Sequence, residues 1–165
     1  MFLVSGTASA QAREWREVSE RAGVPVFCLF EEGTRFESGS DREKKVAMCA
    51  AGLVRIGRAV LCLGQPPAEG TSPVDPGVWL RPLARAAGSV WRESVPNLVL
   101  VEGGATAAAL LEDFPWGAWR AVREWAPGVV ELRAPQADTP AVIVKPGSYP
   151  WPDSIRELWF AGRRL

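Results

Sequence analysis

Two stretches of the chain share one grammar: an apolar strand, a glycine, a small hydroxyl residue, then helix-forming residues. They are VSGTAS, Val4 to Ser9, and VEGGATA, Val101 to Ala107. The first backbone N–H groups of a helix have no intrahelical partner, and the helix dipole adds partial positive charge there. Glycine removes the Cβ that would hold an anion off the backbone, and Ser or Thr adds a hydroxyl donor. Gly6, Thr7, Ser9, Gly103, Gly104, Ala105 and Thr106 are therefore candidates to contact phosphate. Neither loop is G-x-x-x-x-G-K-[ST] or G-x-G-x-x-G. Glycines at such a junction also serve a sharp turn alone, so turning and close approach both stand.

A third candidate is VIVKPGSYP near the end of the chain, with Lys145 and Gly147. Lys145 is suited either to reach a phosphate or to sit exposed at a strand end. The chain has no His, which removes a Ser-His-Asp triad, a His base and the common zinc sites. No carboxylate stands in a motif that marks it as a catalytic base, so no catalytic residue and no metal ligand is assigned. Cys28, Cys49 and Cys62 are an odd set without CxxC spacing. Cys28 and Cys62 lie in apolar runs, where a reduced Cys is a small core residue, as suits a reducing cytoplasm.

The elements that must position these loops follow from periodicity. Ala8, Ala12, Trp15, Val18 and Ala22 mark a helix over 8–22 after the strand FLVSG, with Gly23 and Pro25 ending it. VPVFCLF is the next strand. Ser40 and Glu43 have capping-box spacing and open a helix with Val46, Cys49, Leu53 and Ile56 on one face. AVLCLG follows, then the Pro- and Gly-rich loop GQPPAEGTSPVDPG. A helix is expected from about Pro82, burying Leu83, Ala86, Ala87, Val90 and Trp91. LVLV is the fourth strand, leading into GGATA and a helix to about Leu111. WRAVREW, VVELRAP and AVIVKP are later strands, and Asp153 caps a last helix, SIRELWF. Among the tryptophans, Trp15, Trp91 and Trp159 belong to the core, while Trp116, Trp119, Trp125 and Trp151 fall near loops.

Strand and helix alternate over two thirds of the chain, which predicts a Rossmann-like, three-layer α/β domain with a mixed, mainly parallel sheet. A length of 165 residues fits one domain, spanning 1–165. Formal net charge is zero, with 19 basic and 19 acidic residues and no basic block, so neither nucleic acid nor a membrane surface is implied as a partner. No apolar run approaches a membrane span, and no secretory signal is visible.

The order of four motifs, VSGTAS, VEGGATAAALL, REWAPGVVEL and VIVKPGSYPWPDSI, resembles the C-terminal nucleotide-binding domain of the four-carbon acid sugar kinases. The resemblance runs from Phe2 to about Ile155. Gly6, Thr7, Ala8 and Ser9 match the family's G-S-C-S, and Gly103 to Ala107 match G-G-[DE]-T-[AS]. Lys145 to Pro150 match K-x-G-x-F-G, and Ala126 to Val129 match A-P-G-V. The resemblance implies ATP or ADP binding with Mg²⁺, phosphates against the glycine loops, and phosphorylation of threonate- or erythronate-like acids. It also implies a partner, because the family's substrate pocket and base belong to an N-terminal domain that this chain does not contain. The isolated chain is then expected to be inactive, and a homodimer is compatible with it. Two departures matter: Ala105 replaces the acidic residue, and Tyr149-Pro150 replaces Phe-Gly, losing an N–H donor. They keep open a second reading, a non-catalytic nucleotide-sensing or interaction module that retains the fold.

Overall fold

The computed structural model describes residues 1–30, 39–64, 76–114, 117–136 and 139–161. The polar connections expected after the second and third strands, and Trp116, lie outside these residues. The elements run β1 (Phe2–Ser5), α1 (Ala10–Arg21), β2 (Val26–Phe30), α2 (Gly39–Ile56), β3 (Ala59–Gly64), α3 (Pro76–Ser94), β4 (Leu98–Glu102), α4 (Gly104–Asp113), β5 (Arg120–Ala126), β6 (Val129–Arg133), β7 (Ala141–Lys145) and α5 (Asp153–Ala161).

The seven strands form one sheet in the order β2-β3-β1-β4-β7-β6-β5. The first five of that order are parallel, and β6 and β5 are added antiparallel. Strands covered on both faces read as continuous apolar runs, which is why FLV, AVLC and LVLV lack alternation. Phe2, Val4, Leu61, Val99, Val101 and Val142 face α2, α3 and α4 through Cys49, Leu53, Leu83, Val90 and Leu110. Leu3, Val60, Leu98, Leu100 and Ile143 face the other way, onto Trp15 of α1 and Ile155 and Trp159 of α5. The result is the expected three-layer α/β domain with a mixed, mainly parallel sheet.

Several boundaries differ from expectation for identifiable reasons. Helix α1 starts at Ala10 because Ser9 is its N-cap, with its Oγ accepting from Ala12 N at 3.1 Å. Helix α3 starts at Pro76, six residues before Pro82, which therefore sits inside it. Pro76 needs no N–H at a helix start, and the buried Leu83, Ala86, Ala87, Val90 and Trp91 hold the helix despite the interruption at Pro82. Ile56, expected on the core face of α2, is partly exposed. Trp15, Trp91 and Trp159 are core as expected, but Trp151 joins them, its ring 5.9 Å from that of Trp15.

The cysteine expectation is corrected. Cys28 and Cys62 are register partners on the adjacent parallel strands β2 and β3, with Cα atoms 4.7 Å apart, and they form a disulfide. The inference from reduced thiols to a reducing compartment loses its premise. Cys49 alone is free, and burial pushes its thiol from 9.0 up to about 12. No helix among the described residues is long and apolar enough to cross a membrane.

Candidate functional site

The carboxyl ends of β1, β4 and β7 lie side by side, with Ser5, Glu102 and Lys145 in one register row. The loops that leave these ends are the three singled out in the sequence. The chain after β1 leads to α1 on one face of the sheet, and the chain after β4 leads to α4 on the other. Strand order also reverses there, because β1 connects outward past β3 while β4 lies on its other side. Open α/β sheets bind ligands at such a switch point.

The glycines of the three loops have different reasons to be glycine. A Cβ on Gly6 would collide with the Thr106 side chain and lie 2.7 Å from Leu80 Cδ2. A Cβ on Gly147 would lie 2.9 Å from Thr7 Oγ1. Gly6 and Gly147 therefore let the first loop pack against the start of α4 and the third loop against the first. Gly103 has φ +102°, a conformation that L side chains rarely adopt. Gly104 has none of these reasons: its φ is not positive, and a Cβ added there meets nothing within 4 Å. It and Ala105 are exposed at the first turn of α4.

The backbone of that turn is open to an acceptor. Gly103 is the N-cap, and no side chain among the described residues caps the helix. Gly103 N donates to Lys145 O at 2.8 Å, tying the second loop to β7. The first intrahelical bond runs from Ala107 N to Gly103 O at 2.9 Å, so the N–H groups of Gly104, Ala105 and Thr106 precede the helical ladder. The hydroxyls are less free than the sequence suggests. Thr106 is buried. Thr7 Oγ1 accepts from Ser9 N at 3.3 Å, and Ser9 Oγ is the cap of α1.

Lys145 departs from the exposed strand-end reading. It is fully buried, 3.2 Å from Glu102 Oε1. Its Nζ donates to Tyr149 O at 2.6 Å and Pro146 O at 3.1 Å. Trp151 Nε1 donates to the same Glu102 oxygen at 2.8 Å. The lysine thus folds the third loop back over the strand ends, with its bonds directed inward. Sequence reasoning missed Glu102, which is completely buried and whose Oε2, like the neighbouring Ser5 Oγ, has no hydrogen-bond partner among the described residues. Its signal was a carboxylate closing the otherwise apolar run LVLV. The residues present do not make a Mg²⁺ site on their own: Ala105 brings no carboxylate, Glu102 is neutralised by Lys145, and no cluster of three metal-ligating side chains exists among the described residues.

No protein-family model matches the chain, and no curated protein does. Solved structures do. The chain superposes on a Haemophilus influenzae protein of the DUF1537 family model with a TM-score of 0.76 at 19% identity, covering 99% of this chain and 40% of that one. It superposes on a DUF1537 domain of unknown function from Bordetella bronchiseptica, a domain-swapped dimer with bound citrate, with a TM-score of 0.66 at 18% identity. That match covers 100% of this chain and 42% of the other. The chain spans about two fifths of the length of these proteins. At such identities the likeness is one of fold, and the chain has the fold of one part of the DUF1537 structures.

Proposed function

We propose that this chain is the nucleotide-binding domain of a kinase acting on small four-carbon acids, with the phosphates of ATP or ADP against the first turn of α4. The observation that carries the proposal is Gly104: an exposed helical glycine with open space above it and no internal reason to lack a side chain. It stands beside N–H groups that precede the helical ladder, at the switch point of the sheet. Gly104, Ala105 and Thr106 supply backbone donors, and Gly103 and Gly6 shape the cradle. Gly147, Thr7, Ser9 and Lys145 act one step back, by fixing the flanking loops. Mg²⁺ would arrive with the nucleotide, held by its phosphates, and supplies charge neutralisation there. Phosphoryl transfer is mostly positioning, and this chain positions the donor. The acceptor pocket and base belong to a substrate domain or subunit, as the two-fifths coverage of longer neighbours supports. The Bordetella likeness also supports a homodimer.

A second reading, a nucleotide-sensing or interaction module without catalysis, is favoured by Ala105 and by the inward commitment of Lys145. Calorimetric titration with ATP and with ADP, each with and without Mg²⁺, tests what the two readings share. Saturable binding is expected; absence of binding to every form overturns both. Phosphate transfer after addition of a substrate domain separates them.

A further inference from the structure

We propose that Arg42 of α2 with Arg81 and Arg85 of α3 forms a binding site for a multiply charged oxyanion, a phosphoryl or polycarboxylate group. Two grooves meet on α3. One, of about 240 Å³, is lined by Arg42, Arg81, Pro82 and Arg85. The other, of about 630 Å³, runs between α3 and α4 and shares Gly77, Arg81 and Arg85 with the first. Arg81 and Arg85 are exposed and stand one helical turn apart, on the ridge between the grooves. Like charges at that spacing repel, an unfavourable arrangement that an anion between them reverses.

Many arginines here have internal partners. Arg58 donates to Trp159 O, Arg92 to Ser89, and Arg133 pairs with Glu131, while Arg123 lies over Trp125. Arg42, Arg81 and Arg85 have none among the described residues. Single exposed arginines such as Arg13 and Arg55 also lack a partner among the described residues, but neither lines either groove. The trio shares one, and guanidinium forks match oxyanion geometry. The acids of the larger groove, Glu112 and Asp113, end α4, whereas Ala105 lies in its first turn. The smaller groove has no acid among its lining residues, which favours an anion on the α2–α3 side. The site does not depend on nucleotide binding at Gly104.

The test is titration with sodium pyrophosphate and with trisodium citrate at fixed ionic strength, using wild type, Arg81→Ala/Arg85→Ala, Arg13→Ala/Arg55→Ala and Gly104→Ala. All the substituted arginines are exposed, so folding is checked simply by thermal melts. Wild type should bind at least one anion, and which one it prefers distinguishes phosphoryl from carboxylate recognition. The Arg81/Arg85 variant should bind about tenfold or more weakly, since each lost charge-assisted bond corresponds to about that factor. The Arg13/Arg55 variant, with the same charge change, should match wild type, and Gly104→Ala reports separately on any anion held at the glycine loop. The proposal is overturned if neither anion binds, if the Arg81/Arg85 variant binds as wild type does, or if both arginine variants lose equally. Loss confined to Gly104→Ala would place the anion on the glycine loop and also overturn it.

Discussion

At the scale of single residues, the buried ion pair is the feature with the largest stakes. Lys145 and Glu102 are both fully buried, and each has a second polar partner. Removing one member leaves the other as an uncompensated interior charge, so Lys145→Met should destabilise the fold by about 3–5 kcal/mol. Replacing both with apolar residues should recover much of that loss, which denaturant unfolding of the single and double variants checks. Cys49 gives a pH-dependent counterpart. Its thiol keeps its proton to about 12 in the fold, against 9.0 when free. The unfolded chain therefore binds fewer protons above pH 9.0, and stability falls as pH rises toward 12, by about 1.4 kcal/mol per unit. At about pH 10.5, urea unfolding should show wild type losing about 2 kcal/mol more, relative to about pH 8, than Cys49→Ala loses. The ion pair was not legible in the sequence, whereas the burial of Cys49 was, from its place on the apolar face of α2. Glu102 and Lys145 are distant along the chain and meet only because β4 and β7 are neighbours in register.

At the scale of elements, what the sequence displayed well was periodicity. The apolar face of α3, the continuous runs of the parallel strands and the turn from β4 into α4 appear where the pattern put them, whereas of the face expected for α1 only Ala12 and Trp15 are buried, with Ala8 and Ala22 exposed beyond its ends. What it hid was anything decided by a second element. Pro82 argued locally for a helix start, yet packing of Leu83, Ala87 and Val90 carries α3 through it. The Cys28–Cys62 disulfide depends on β2 lying next to β3 in a particular register, which no local pattern encodes. The bond closes a sequence separation of 34 residues, and such closures stabilise by about 2–4 kcal/mol, mainly by restricting the unfolded chain. Peptide mapping without reductant should recover the Cys28–Cys62 pair, and adding reductant should lower the melting temperature. A melt insensitive to reductant in protein shown to be oxidised would contradict that contribution.

At the scale of the whole molecule, the candidate site was half visible in advance. The sequence pointed to three loops, and the sheet order brings them to one edge, with Gly6 against Thr106 and Gly147 against Thr7. The sequence could not say which glycine serves packing and which leaves room, because that depends on atoms from other loops. Since the chain spans about two fifths of its longer structural neighbours, the purified chain with Mg²⁺-ATP and threonate or erythronate should transfer no phosphate. Observed turnover would show that a complete acceptor site lies within these residues. The central claim, that phosphate lies against the backbone at Gly104, has a direct measurement: ATP titration of wild type and Gly104→Ala, with thermal melts alongside. Alanine is the better helix former by up to about 1 kcal/mol, and no neighbouring atom lies within 4 Å of its Cβ. The variant should therefore melt no lower than wild type. Its methyl group should lift the phosphate off donors that need contacts of about 3 Å, weakening ATP binding by about tenfold or more. Equal affinity in two equally stable proteins would contradict the account.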